Sequence, residues 1–267
     1  MSDAPIGIFD SGLGGLSVLK ELLRHFPNES FIYLGDTARI PYGNKSSQVI
    51  AKYTENNIQF LKRREVKAVV VACNSASSVL AGIAENLKNK TPIYNVIEPG
   101  AEKAQRSTQN KKIGVIGTRA TLESQSYKKK LEELDSSIQV YSNACPLLVP
   151  LVEEGLEDDP ITNLIAFRYI HPLMQKEIDT LILGCTHFPF LKKAIQKVTG
   201  PSVALVDSAQ AICEKLEVDF NSNQLSRTKR AQGGVQILLT DFNANYEKTA
   251  RHFLGNPPNI NFDWVEI

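Results

Sequence analysis

Cysteine is scarce in this 267-residue chain: Cys73, Cys145, Cys185 and Cys213 stand far apart, with no C-x-x-C pair. That scatter excludes a disulfide framework, so free thiols are expected. A metal site is not expected either, because Cys185 and His187 are too close in sequence for any standard zinc spacing. An excess of one charge is also lacking. The 30 basic and 29 acidic residues nearly cancel, which leaves no footprint for nucleic acid, and no Lys/Arg run marks a membrane surface. The longest apolar run, around residues 68–73, is far too short to span a bilayer. The first six residues carry no basic stretch followed by an apolar one, so a cytoplasmic protein is expected. Nucleotide loops are missing as well. There is no G-x-x-x-x-G-K-[ST], and Gly12-Leu13-Gly14-Gly15 runs into Leu16-Ser17-Val18, which breaks G-x-G-x-x-G.

What remains is the pattern of a soluble α/β protein. Apolar residues make up 42% and charged residues 22% of the chain. Residues 5–10 (PIGIFD) have the composition of a buried strand and run into a small-residue turn. Leu16, Leu19, Leu22, Leu23 and Phe26 then recur at helical spacing. Residues 30–36 read as a second strand, 46–64 as a helix, and 68–74 (AVVVACN) as a central strand apolar on both faces. Strand segments restart near residue 92: PIYNVI, IGVIGT, QVYSNA, TLILGC and VALVDS, then VQILLT and, after a helix, residues 262–267. Strands alternating with helices predict doubly wound α/β architecture.

Two pairs of segments suggest an internal repeat. IGIFDSG at Ile6 resembles IGVIGTR at Ile113, 107 residues on, and VVVACNSAS around Cys73 resembles LILGCTHFP around Cys185, 112 residues on. Similar offsets in the same order favour two related lobes.

Ligands of open parallel sheets bind beyond the carboxyl ends of the strands. Five places where an apolar run gives way to small or polar residues stand out: Asp10-Ser11-Gly12, Pro41-Tyr42-Gly43, Cys73-Asn74-Ser75, Thr118 with Thr121, and Cys185-Thr186-His187. A single cysteine at such a place is ordinarily a small core residue. Two at equivalent ends of a repeat would face each other across one cleft, which is the geometry that inverting a C–H stereocentre requires. One group removes a proton from one face and the other delivers a proton to the opposite face. A thiol lowered somewhat by its neighbours suits both roles. His187 is placed to share a proton with Cys185, and Asp10 to act as hydrogen-bond acceptor or relay for Cys73. Asn74, Ser75, Thr118, Thr121 and Thr186 supply neutral donors, and the glycine-rich loop suits a carboxylate. Arg39 and Arg119 read as surface or supporting residues. Cys145 and Cys213 lack polar strand-end settings and read as structural.

The ordered set DSGLGG, DTARIPYG, ACNSAS, VIGTRAT, CPLLVPLVEEG and LGCTHFP resembles the bacterial glutamate racemases of the aspartate/glutamate racemase superfamily. The resemblance covers most of the chain and fades beyond about residue 235. It implies two flavodoxin-like doubly wound lobes related by a pseudo-two-fold, with the active site in the cleft between them. Residues 1–97 with 209–267 would form the first lobe and residues 98–208 the second. The implied activity is cofactor-independent interconversion of L- and D-glutamate, supplying D-glutamate for peptidoglycan; a racemase of aspartate or a related amino acid on the same scaffold is the alternative. Cys73 would take the proton from D-glutamate, and Cys185, helped by His187, from L-glutamate. Asp10 and His187 match auxiliary acid/base positions, and Glu153 matches a catalytic carboxylate placed near the histidine, with Glu154 leaving a one-residue ambiguity. Asp10, Ser11, Pro41, Tyr42, Gly43, Asn74, Ser75, Thr118, Thr121, Thr186 and His187 match substrate-binding positions. A homodimer is a further expectation.

Overall fold

A computed structural model describes residues 3–87, 91–222, 233–255 and 260–267. Its strands are β1 (Ile6–Asp10), β2 (Phe31–Gly35), β3 (Ala68–Val71), β4 (Ile93–Asn95), β5 (Lys112–Gly117), β6 (Gln139–Ala144), β7 (Thr180–Gly184), β8 (Ala204–Asp207), β9 (Val235–Leu239) and β10 (Asn261–Trp264). They pair in parallel as two sheets, β10-β9-β2-β1-β3-β4 and β6-β5-β7-β8. Parallel pairing needs a crossover between successive strands, and the helical segments supply it.

The repeat anticipated from the sequence is a repeat of topology. The order β2-β1-β3-β4 in one sheet matches β6-β5-β7-β8 in the other. Thus β1 corresponds to β5 and β3 to β7. Ile6 pairs with Ala68 as Ile113 pairs with Thr180. The first sheet is extended at its β2 edge by β9 and β10, from the returning end of the chain.

The central strands are buried along their whole length: β1, β2, β3 and β7 show no exposed position. Each Val or Leu so buried contributes about 1.5–3 kcal/mol. That is why β3 reads as AVVV and not as an alternating pattern. The helix Leu16–His25 buries Leu16, Val18, Leu19 and Leu22. The helix Ser47–Arg63 is capped by Ser46, whose side chain accepts from Val49 N–H, and buries Ile50, Ile58 and Leu61. One hydrophobic cluster runs from Ile6, Ile8 and Leu16 through to Leu183, Cys185 and Phe188, so the lobes share a core. The helix Ser208–Ser222 packs on both Leu16–His25 and Ile97–Ser107, tying the lobes together behind the cleft. Among the described residues no helix is long and apolar enough to cross a membrane.

Several strand limits differ from the sequence reading. β3 ends at Val71, and Cys73 instead caps the short helix Asn74–Ser77. Likewise β4 ends at Asn95, because a helix begins at Ile97. Apolar residues continue past each strand end into the first helical turn, so hydropathy alone cannot mark the boundary.

Candidate active site

The five segments converge on one cleft of about 270 Å³ between the lobes, although Pro41-Tyr42-Gly43 sits in the connection after β2 and not at a strand end. Its walls include Ser11, Pro41, Tyr42, Gly43, Cys73, Asn74 and Ser75 from the first lobe, and Thr118, Glu153, Cys185, Thr186 and His187 from the second. Two sequence candidates lie behind the wall. Asp10 is fully buried under the glycine-rich loop, and Thr121 is buried behind Thr118.

Cys73 and Cys185 follow corresponding strands, β3 and β7, and each is 6% exposed. Cys73 Sγ donates to Ser11 Oγ at 3.4 Å. Burial and then the Asp10 carboxylate push its thiol up to about 12. The sequence reading expected a thiol lowered by its neighbours; here the desolvation of a thiolate at a nearly closed strand end wins. Cys73 therefore rests as a neutral proton donor.

Asp10 is shaped by its loop. Its Oδ2 accepts from Gly12 N–H at 3.0 Å, and its Oδ1 accepts from Thr186 Oγ1 at 3.3 Å. Burial raises its pKa, while the charge of His187 and those hydrogen bonds pull the other way. Asp10 thus braces the turn and also joins the two lobes, since Thr186 sits beside Cys185. Glycine is required where these parts meet: a Cβ on Gly14 would stand 2.4 Å from Thr186 Oγ1 and 2.5 Å from His187 Nδ1. Ser17 Oγ adds a hydrogen bond to Thr186 O at 2.9 Å.

His187 Nδ1 lies 3.8 Å from Cys185 Sγ. On its far side Nε2 stands 3.2 Å from Glu153 Oε1, close enough for an ion pair but out of line for a hydrogen bond, so among the described residues this buried nitrogen has no hydrogen-bond partner. Burial alone would favour the neutral ring, but contact with Cys185 and Glu153 outweighs it and lifts His187 to about 10. At neutral pH the ring is an imidazolium. Of the paired glutamates, Glu153 lines the cleft and faces His187, whereas Glu154 follows the helix Leu148–Glu153 and does not line it.

Neutral donors fill the space between. Ser75 Oγ and Thr118 Oγ1 are 2.9 Å apart, and Thr121 Oγ1 lies 3.0 Å from Thr118 Oγ1, a hydroxyl cluster spanning both lobes. Asn74 is held by Tyr127, whose OH donates to Oδ1 at 2.7 Å, and by its own Nδ2 donating to Ser208 Oγ at 3.3 Å. Gly43 packs flat on Thr118, where a Cβ would come within 2.6 Å of Thr118 Cβ.

Some participants escaped the sequence reading. Asp36, fully buried at the end of β2, accepts from Tyr42 OH, Asn57 Nδ2 and Thr240 Oγ1 and so fixes the Tyr42 wall. Ile40, Asn44, Pro146, Val149 and Pro150 also line the cleft, as does Arg119. Cys145 directly follows β6, at a strand end corresponding to that of Asp36, but apolar Pro146 and Leu147 come next where the other thiols have polar residues. It is fully buried with Sγ bonded to Asn143 O at 3.4 Å, and it does not line the cleft. Cys213 is buried in the helix Ser208–Ser222.

Two like lobes that each bring a buried thiol and its polar neighbours to a shared cleft define a two-lobed α/β enzyme. The chain belongs to the Asp/Glu/Hydantoin racemase family, whose model matches residues 6–216; it is a racemase, and so an isomerase. It is 41% identical to the glutamate racemase of Chlorobaculum tepidum over 254 residues, 95% of this chain and 93% of that one. Among solved structures it resembles a glutamate racemase isoform from Bacillus anthracis, with a TM-score of 0.94 and 36% identity over 100% of this chain and 99% of that one. It also resembles the Francisella tularensis glutamate racemase in complex with D-glutamate, with a TM-score of 0.92 and 35% identity over 100% and 98%.

Proposed function

We propose that this enzyme interconverts L- and D-glutamate by exchanging the α-proton between Cys73 and Cys185, and that the D-glutamate it forms is destined for peptidoglycan. The observation that carries the mechanism is the placement of the two thiols after corresponding strands of the two lobes, in one cleft. The substrate is assigned from relatives and solved neighbours that are glutamate racemases. The hydroxyl cluster and loop N–H groups suit carboxylates without neutralising them.

From L-glutamate, Cys185 as thiolate takes the Cα proton, leaving the electron pair on a planar carbanion. Cys73, holding its proton at rest, delivers that proton to the opposite face and becomes the thiolate. The reverse direction runs the same transfers backwards. His187 places its ring 3.8 Å from the Cys185 sulfur that accepts and returns the proton, and contact with Glu153 helps keep His187 charged. Asp10 serves the Cys73 side.

Racemising L-glutamate in heavy water tests this scheme. The first D-glutamate formed should carry deuterium at Cα, while unreacted L-glutamate stays unlabelled early on. D-glutamate that retains its original proton would mean one group carrying it across. Assaying aspartate alongside glutamate checks the substrate, and faster turnover of aspartate would overturn the assignment.

Glu153 yields a pH prediction. His187 is charged below about pH 10 and loses its proton as pH rises through that value. Activity that needs the imidazolium should hold through neutrality and fall on the alkaline side. Glu153→Gln removes one of the groups that raise the histidine, so the alkaline limb of kcat/KM should move to lower pH while the acid side stays put. A limb that does not move would detach Glu153 from His187.

A further inference from the structure

Three side chains of charged type line the cleft, and one of them has no ion-pair partner among the described residues. Glu153 and His187 face each other at 3.2 Å and offset one another. The remaining one is Arg119. Among the described residues its guanidinium forms no ion pair; NH1 donates at 3.2 Å to Asn44 Oδ1, a neutral side chain from the other lobe. Arg119 is exposed and directly follows Thr118, which belongs to the hydroxyl cluster, while Asn44 directly follows Gly43, which packs on Thr118. An uncompensated cation thus stands at the rim, one residue from the polar floor.

Glutamate enters with two carboxylates and one ammonium, a net negative charge. Neutral hydroxyls can hold a carboxylate already in place, but they exert no long-range attraction. A cation at the mouth of a low-dielectric cleft does, and its guanidinium can pair with a carboxylate in bidentate fashion.

We propose that Arg119 is the residue that captures the anionic substrate, exchanging its hydrogen bond to Asn44 for a substrate carboxylate. This inference rests on glutamate as the substrate. It differs from the supporting or surface role that the sequence suggested for Arg119.

The test compares wild type with Arg119→Gln, Arg119→Lys and Asn44→Ala. Arg119→Gln should raise KM for both enantiomers about tenfold, with a much smaller change in kcat. The fall of kcat/KM with added salt, expected in wild type, should flatten in Arg119→Gln and persist in Arg119→Lys. An unchanged KM and salt slope in Arg119→Gln would overturn the proposal. So would a loss confined to kcat and equalled by Asn44→Ala, which marks a brace between lobes. A second readout separates this idea from the glutamate assignment: protection of the cleft thiols against iodoacetamide by L-glutamate, which needs binding but no turnover. Wild type protected at concentrations about tenfold below those needed by Arg119→Gln supports Arg119, even were racemisation of glutamate absent. Equal concentrations for both, or no protection of wild type, refute it.

Discussion

Exchanging Cys73 or Cys185 for serine is expected to lower kcat for both enantiomers by roughly 10²–10⁴-fold, the range a positioned acid/base group supplies. A hydroxyl matches the thiol in shape well enough to keep the site folded, and Ser11 Oγ remains within reach of position 73. It does not reach a useful anionic fraction near neutral pH, so the step that needs a base fails. The two variants should fail differently in heavy water. Cys73→Ser retains Cys185, so L-glutamate should exchange its α-proton with solvent without inverting, whereas D-glutamate should not. Cys185→Ser should show the mirror pattern. Cys145→Ser and Cys213→Ser supply the controls, since neither sulfur lines the cleft, and both should racemise nearly as wild type does. Near-normal turnover by either cleft variant, or the same exchange pattern in both, would end the two-thiol scheme.

The parts of this site that the sequence exposes are those where polarity interrupts an apolar strand. Cys73, Cys185, Asp10 and Thr118 stood out because buried parallel strands leave almost no room for them except at the carboxyl end. The repeat was legible because β1 and β5, like β3 and β7, occupy corresponding positions in their sheets and meet the same packing demands. Apolar walls were not legible. Nothing in the sequence marks Ile40, Pro146, Val149 and Pro150, since a side chain facing a cleft and one facing a sheet share a composition. Asp36 was hidden within a predicted strand, and its partners Asn57 and Thr240 are far away in sequence. Cys145 shows that a strand end alone does not make a site. It occupies a strand end, yet burial and the absence of a free polar neighbour leave it outside the site. The resting state of Cys73 was beyond reach as well. Burial and a carboxylate beside it are tertiary facts, and together they reverse the shift that catalysis by a thiolate suggests.

That resting state makes the site asymmetric, and His187→Asn should reveal it. L- and D-glutamate have equal free energies in an achiral solvent, so kcat/KM must be the same in both directions for any variant. Loss of the imidazole should therefore lower both kcat/KM values by one common factor, on the order of 10² or more. The asymmetry can appear only in how that loss divides between kcat and KM. Cys185 loses the cation 3.8 Å from its sulfur, whereas Cys73 keeps Ser11 and Asp10. The kcat for L-glutamate, where Cys185 is the base, should fall further than the kcat for D-glutamate. The alkaline limb near pH 10 should vanish with the histidine. Equal falls in the two kcat values, with that limb still present, would assign the limb to another group and leave His187 a packing residue beside Phe253.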